Sequence, residues 1–490
     1  MGVVVSQTFK NTIYTYIGFA IGAVNTLFLY TNFLTDEYYG LVGYLLSTAN
    51  IMMPLLTFGV QNSLVKFYSS YMNNQTQEKR FTTFMLLLPL FVIVPVGVIG
   101  FLGYKGITQL LSGQNEIVEQ YVWVIFLLAV FMAYFEVFFA WTKVHMKSVS
   151  GNFLKETFNR LVTMVLLFLV FLKIISVHEF IIGLAWMHLA RVLLMGFIAY
   201  RIKKPVFEFS LPDNVKDVLK YSSLIILAGS IAVILLDVDK FMIGQYLTIE
   251  NVAFYNVAVF IAMVIIVPSR AMHQITYPMT AKLLNEKNMK ELAILYKKSS
   301  ITLYIIGGLI FLLIITNINE LYKVIPGQYS GGLAVVLLIS LAKLSENIVG
   351  NNNSIIFNSN YYRMILFFGV ILAIITIILN ILFIPLWGIT GAAIATLTAF
   401  LVYNSLKVYF VWIKFKIHPF LKSTLHTTLT IIFLSLSFYF WEFGFHPVIN
   451  IILKSSLLSI LFLFIVIRFN FSNDITHTLQ NFVKRKSNKH

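Results

Sequence analysis

The sequence predicts an all-α integral membrane protein. About fourteen transmembrane helices form two parallel six-helix lobes, with two further helices at the C-terminal end. Three observations carry this. First, 59% of the 490 residues are hydrophobic and only 11% are charged, against about a quarter charged in an ordinary soluble domain. A soluble fold cannot hide that much apolar surface. Second, the chain is divided into apolar stretches of the roughly 20 residues that a spanning helix needs. Third, the segment Leu34–Tyr44, LTDEYYGLVGY, lies over Leu247–Val257, LTIENVAFYNV, after a shift of 213 residues. Leu34, Thr35 and Glu37 then meet Leu247, Thr248 and Glu250, and Gly40 meets Ala253. The surrounding apolar stretches fall in the same phase, so the second half begins near residue 214 as a distant copy of the first.

Taken in order, the expected spans are 11–33, 39–62, 82–103, 118–141, 152–172, 179–200, 220–244, 251–273, 299–317, 330–350, 362–384, 388–411, 421–441 and 447–469. Ten mostly polar or small residues lead into an apolar run of about 23 with no small-residue cleavage site, which reads as a first span rather than a removed leader. The loops support the count, because Lys and Arg favour the cytoplasmic side. Lys66, Lys79 and Arg80 follow the second span, Lys143, Lys147 and Lys155 the fourth, and Arg201, Lys203, Lys204, Lys216 and Lys220 the sixth. Lys282, Lys287, Lys290, Lys297 and Lys298 follow the eighth, Arg363 the tenth, and Lys414, Lys416 and Lys422 the twelfth. Lys484, Arg485, Lys486 and Lys489 end the chain. On the other side lie Asp36, Glu37, Glu116, Glu250, Glu320 and Glu442, with Lys105, Lys173 and Lys323 as the exceptions. Both termini are therefore expected in the cytoplasm.

Each half holds an even number of spans, so the two copies share one orientation about an axis along the membrane normal. The expected divisions are 1–200 for the first lobe, 201–219 for a cytoplasmic linker, 220–412 for the second lobe, and 413–490 for the last two spans and a basic tail. The linker carries Pro205 and Pro212 among mixed charge. Lys282–Lys298, KLLNEKNMKELAILYKK, has apolar residues at helical spacing and reads as an interfacial amphipathic helix.

Much chemistry is excluded. The formal net charge of +16 sits in alternate short loops, which is membrane topology and not a nucleic-acid surface. With no cysteine there are no disulfides or thiolate metal sites. The nine histidines show no metal-ligand spacing, and no phosphate-binding GxxxxGK[ST] is present. No loop on the outer side is long enough to house a catalytic domain. No catalytic residue, metal or cofactor is expected.

The ionisable residues inside spans are the functional candidates, since each costs at least about 2.5 kcal/mol at mid-membrane without a partner or a watery cavity. Lys10, Arg160, Arg270, Lys407, Lys454 and Arg468 lie near span ends, where long side chains reach the headgroups. Arg191, with His188 one turn earlier, lies deep in the sixth span. Lys343 and Glu346 lie in the tenth, at a spacing that pairs them on one helix face. Glu136 is in the inner part of the fourth span, and Asp237 and Asp239 are in the outer part of the seventh.

Several segments resemble one family. Ile384–Leu406, IPLWGITGAAIATLTAFLVYNSL, is similar to the junction between the eleventh and twelfth spans of Wzx-type polysaccharide flippases, in the multidrug/oligosaccharidyl-lipid/polysaccharide exporter superfamily. Pro385, Trp387, Gly388, Gly391, Ala392, Ala393, Ala395 and Thr396 match its pattern. Asp239–Gly244, DKFMIG, resembles the pattern closing the seventh span. Glu37–Gly40 resembles the turn after the first, and Asn358–Arg363, NSNYYR, the entry to the eleventh. Read physically, Gly388, Gly391 and Ala395 are small residues that let helices approach closely.

The resemblance implies a MATE-like fold and a flippase for polyprenyl-diphosphate-linked oligosaccharide in the bacterial inner membrane, feeding O-antigen, capsule or exopolysaccharide synthesis. Its implied partners are membrane lipid, a polysaccharide polymerase and glycosyltransferases. A cleft between the lobes would need cations for the diphosphate; the candidates are Lys66, Arg191, Arg270 and Lys343, with Lys10 behind them. Asn50, Gln61, Asn62 and Gln274 are the polar candidates. Membrane potential, a proton or a sodium ion would drive exchange, and Asp237 and Glu346 are the candidate coupling carboxylates. The rival readings are a lipid II flippase and a cation-coupled multidrug exporter of the same superfamily. A membrane acyltransferase built on His188 is a third, from another class.

Overall fold

The computed structural model describes residues 2–476, with the side chains of residues 2–6, 8, 9 and 227–236 left aside. The basic tail at 484–489 lies outside them. Among the described residues there is no strand. Contacts divide the chain into two compact units, Met1–Asn256 and Val257–His490. The packing boundary thus falls inside the eighth expected span, whereas the repeat places the halves' junction in 201–219.

Unit 1 begins with α1 (Gly2–Val24), a π turn and α2 (Tyr30–Phe33), together the first span. Thr35 caps the next helix by accepting from the Tyr38 amide. α3 (Asp36–Thr57) and α4 (Val60–Tyr71) are separated by Phe58 and Gly59, both in the left-handed region (φ 49° and 67°). Asn74 caps α5 (Gln75–Leu102), after which come the short α6 (Tyr104–Ser112) and α7 (Val122–Val144). α8 (Val149–Phe153), a second π turn and α9 (Asn159–Phe171) make one interrupted span. Ser176 and Glu179 form a capping box that starts α10 (Val177–Ile202). An irregular strap follows, and then α11 (Val215–Tyr246) and the first residues of α12 (Glu250–Met263).

The two copies of the repeated segment touch. Gly40 in α3 lies so close to Ile249 that any Cβ there would overlap the Ile249 carbonyl. Beside this contact Asn115 donates to the carbonyls of Gly244 (2.8 Å) and Leu247 (3.0 Å) and accepts from the Ile249 amide (2.8 Å). Gln245 donates to the Tyr44 hydroxyl (2.6 Å), and Tyr44 donates to the Leu111 carbonyl (2.8 Å). The strap is tied to the rest of unit 1 in the same way. Trp141 donates to the Lys203 carbonyl (3.2 Å), Arg80 pairs with Glu208 (2.8 Å), and Tyr71 bonds Asn214.

Unit 2 continues α12 into α13 (Val267–Asn285), α14 (Met289–Val324), α15 (Leu333–Val349) and the short α16 (Asn352–Phe357). It ends with α17 (Arg363–Phe415), α18 (Lys422–Tyr439) and α19 (Pro447–Arg468). The expected interfacial helix over Lys282–Lys298 is not there. α13 stops at Asn285, Lys287 turns through φ 54°, and Asn288 caps α14 by accepting from the Glu291 amide (3.2 Å). That Asn-x-x-Glu pattern is itself a helix-start signal, and it outweighs the apolar spacing.

α17 has 53 residues; a straight helix of that length would be about 80 Å long, well over twice the hydrocarbon core. It does not run straight. Gly388 has φ 58° and ψ −139°, and a Cβ on Gly391 would overlap the Phe383 carbonyl. Residues eight apart meet, so the helix doubles back at Gly388 and makes two spans. Gly388 serves the turn and Gly391 the close approach.

α18 and α19 pack on α14. Tyr304 bonds Thr428 (2.8 Å), Asn317 donates to Ser455 (3.1 Å), and Lys323 reaches Glu442 (3.4 Å).

Every expected span falls on helix. Among the described residues, ten helical runs are long and apolar enough to cross a membrane, and α17 among them covers two of the expected spans. The other three expected spans fall on the α8–α9 run, α11 and the Ser/Thr-rich α18. The protein is a multi-pass, all-helical membrane protein.

Candidate functional site: two clusters of buried charge

In unit 1 the charges gather between α7, the α8–α9 run and α10. Lys155 Nζ lies 2.5 Å from Glu136 Oε1. The guanidinium of Arg191 sits 4.1 Å from the centre of the Phe135 ring, and Lys143 Nζ 3.9 Å from that of Phe139. Phe135 and Phe139 are one turn apart on α7, so one helix face carries both ring supports. Arg191 is buried, its Nε has no hydrogen-bond partner, and Glu136 and Glu156 are the carboxylates acting on it. Glu156 also pairs with Arg160 (3.8 Å). His188 is buried with Nδ1 2.9 Å from the Leu184 carbonyl of its own helix. That bond occupies Nδ1 in a helix-local role.

In unit 2 a second cluster joins α13, α15, α16 and α17. Lys343 Nζ lies 3.7 Å from Glu346 Oε2, the i,i+3 pairing expected from the spacing. It also stands 4.1 Å over the Phe400 ring. Lys407 Nζ donates to Asn353 Oδ1 (3.0 Å) and stands 4.0 Å over the Tyr403 ring. Glu346 acts electrostatically on Lys407, and both act on His273. Both lysines are buried, at 5% and 3% exposure.

Lys407 corrects an expectation. Counted among the residues that reach the headgroups, it is instead enclosed. So is Lys454 in α19, which is 2% exposed and influenced by Glu442, Glu320 and Lys323. The signal for Lys407 was periodicity. Ala393, Thr396, Phe400, Asn404, Lys407 and Val411 are all buried at spacings of three and four residues, so Lys407 continues the inner stripe of its helix. Lys10, Arg270 and Arg468 are exposed, as expected of residues near span ends.

Of the other candidates, Asn50 and Asp237 are brought together. Asp237 accepts from Asn50, pairs with Lys240 (3.3 Å) and lies near Asp239, which accepts from the Tyr255 hydroxyl (2.6 Å). Lys66 is exposed, with its ammonium 3.7 Å from the centre of the Tyr221 ring. Gln274 is exposed on α13, as is Arg270. Gln61 and Asn62 are half-buried at the start of α4, and Gln61 Oε1 is enclosed without a hydrogen-bond partner. On a neighbouring face of α15 and α17, a largely apolar cavity of about 450 Å³ carries Ser345, Asn404 and Trp412.

The shared device is the aromatic ring. A cation over a ring face gains about 0.5–2 kcal/mol, more when desolvated, and keeps its N–H groups free for an incoming acceptor. Both clusters therefore hold positive charge that a ligand anion could use.

No curated protein sequence matches this chain. Its fold is similar to a solved structure of the lipid II flippase MurJ in an inward closed conformation. The TM-score is 0.76 at 15% identity, over 94% of this chain and 99% of that one. It is also similar to an inward-facing multidrug resistance MATE family transporter of the MOP superfamily. There the TM-score is 0.60 at 14% identity, over 87% of this chain and 96% of that one. The family described as polysaccharide biosynthesis protein matches residues 4–284, more than half of the sequence. The chain belongs to the polysaccharide biosynthesis protein family.

Proposed function

We propose that this protein is a flippase that moves a polyprenyl-diphosphate-linked oligosaccharide from the cytoplasmic to the outer leaflet of a bacterial inner membrane. It works by alternating access, and both termini lie in the cytoplasm. The cargo serves O-antigen, capsule or exopolysaccharide synthesis, alongside a polymerase and glycosyltransferases. The observation that carries this reading is the pair of membrane-embedded clusters in which cations outnumber carboxylates and rest on aromatic rings. A diphosphate cannot cross hydrocarbon unaided, and Arg and Lys are its natural counter-charges. Lys343 and Lys407 in unit 2 are the residues assigned to it, and Arg191 is the buried cation of the separate unit 1 cluster. The apolar cavity beside α15 and α17 suits a prenyl chain. Membrane potential, a proton or a sodium ion drives the cycle, with Glu346 and Asp237 as the carboxylates to test. The protein performs no covalent chemistry.

Lipid II is the second reading, supported by the near-complete fold overlap with a lipid II flippase; it differs only in the glycan. The test is reconstitution in vesicles with fluorescent polyprenyl-diphosphate-linked glycans of both kinds and a membrane-impermeant quencher. Protein-dependent protection of the capsule-type or O-antigen-type lipid is expected, with lipid II protected weakly or not at all. Protection of lipid II alone would move the assignment to the second reading, and protection of neither would overturn both.

A further inference from the structure

We infer that Lys343 and Lys407 form an anion site in unit 2 in which Glu346 is a built-in competitor, neutralising the lysines until a ligand diphosphate takes its place. The inference rests on the proposed function only for the identity of the anion as part of the cargo.

The charge balance is the first argument. The cluster holds two buried ammonium groups and one carboxylate, which lies 3.7 Å from Lys343, while Lys407 bonds the neutral Asn353 amide (3.0 Å). An uncompensated buried charge costs several kcal/mol, so the site is complete only when a second anion enters. The phenylalanine and tyrosine rings beneath the lysines soften that cost without using up the ammonium hydrogens. Lys343 has one carboxylate contact at 3.7 Å, longer than a good charge-assisted hydrogen bond. Lys407 has a neutral amide, Asn353, as its hydrogen-bond acceptor. Each lysine keeps donors that a phosphate oxygen can accept from.

Accessibility is the second argument. The Lys343 side chain is 6% exposed, whereas that of Glu346 is 32% exposed. Asn353 is exposed as well. The replaceable groups, Glu346 and the amide, thus lie at the open rim, and the lysines lie beneath. A carboxylate in that position can swing towards water when a better anion arrives, losing little. A diphosphate carries several oxygens and more charge than the single carboxylate paired with Lys343, so it can accept from more than one ammonium group. Glu346 then acts on both sides of the exchange: it raises the threshold for capture and, by returning, helps to expel the anion.

The test is binding of inorganic diphosphate to the purified full-length protein, by titration calorimetry at low and moderate salt. Glu346→Gln should bind diphosphate about tenfold more tightly than wild type, and Lys407→Gln or Lys343→Gln about tenfold more weakly. Lys407→Arg, which keeps the charge, should bind within about threefold of wild type and decides the case if the glutamine variant does not fold. Unchanged or weaker binding by Glu346→Gln, or unchanged binding by Lys407→Gln, would overturn the inference. The vesicle assay separates the two claims. Flipping without any effect of these variants on diphosphate binding sinks the anion site and leaves the function. Tighter binding by Glu346→Gln in a protein that flips neither glycan lipid sinks the function and leaves the site.

Discussion

In unit 1 the ion pair of the charged cluster encloses its carboxylate and opens its lysine; in unit 2 the arrangement is reversed. The Glu136 side chain is 13% exposed and that of its partner Lys155 is 43% exposed. The Lys343 side chain is 6% exposed and that of Glu346 is 32% exposed. Both clusters have more cations than carboxylates, and both lean their cations on rings, but only one can exchange its carboxylate for something from outside. Glu136 is held from several directions, by Lys155, Lys143 and Arg191. It is a structural counter-charge. Glu346 is held from within and faces outward, so it can be displaced. Two sites of similar composition thus differ in which member is replaceable, and exposure decides that, not residue type.

The largest effect should come from the turn that builds the unit 2 cluster. Gly391→Ala places a methyl group on the Phe383 carbonyl. Relieving that overlap must push the two arms of α17 apart, at about 3 kcal/mol, and the second arm carries Phe400, Tyr403 and Lys407. The chain has no native cysteine, so single cysteines report each cluster. With Gly391→Ala, Lys407→Cys should become reactive to a thiol reagent while Arg191→Cys stays protected. Continued protection of Lys407→Cys would mean that α17 does not double back as described.

The next effect separates the two carboxylates. Glu136→Gln leaves Arg191 and Lys143 without their nearest carboxylate and should cost about 3 kcal/mol in a denaturation series. Lys155→Gln should cost less than about 1 kcal/mol, because Lys155 is largely open to water. Glu346→Gln lies between, at about 1 kcal/mol after allowance for solvent at a side chain one-third exposed. The sharper outcome is rescue: added diphosphate should restore the melting temperature of Glu346→Gln and leave that of Glu136→Gln low. Rescue of both, or of neither, would erase the distinction between the clusters.

Much of this architecture is legible in the sequence. Apolar length placed each expected span on helix, because hydrocarbon thickness imposes one length on every helix that crosses. The i,i+3 spacing of Lys343 and Glu346 foretold their contact. The clusters as wholes were not legible, since they assemble residues from three or four helices each and spacing within one helix says nothing about its neighbours. Lys407 shows the boundary well. Its distance from the span end suggested a side chain reaching for headgroups, and only the stripe from Ala393 to Val411 says that it faces inward. Lys282–Lys298 failed for a different reason: two helix ends joined by a three-residue turn keep nearly the apolar rhythm of one helix. The capping pair Asn288 and Glu291 was the discriminating detail.

The smallest effect is expected at an ion pair outside both clusters, and it sets the baseline for them. Arg80 donates to Glu208 at 2.8 Å on the strap that follows α10, and each side chain is 30% exposed. The Arg80 hydrogen bond holds the Glu208 carboxyl below the ordinary carboxylate range. A carboxyl whose pKa is lowered by folding contributes stability that is fully present above its unfolded pKa, and that contribution fades as pH falls through the folded value. Docking of the strap should therefore be unchanged from neutral pH down to the ordinary carboxylate range and loosen below it. Hydrogen exchange over residues 203–213, corrected for the intrinsic pH dependence, measures this. Glu208→Gln at neutral pH should match the acid behaviour of wild type, and Arg80→Gln should flatten the acid response. Because the pair is solvated, diphosphate binding should not change in either variant. A change there would mean that the strap senses the unit 2 site, and the exposure argument that separates surface pairs from buried ones would have to be replaced by one based on coupling.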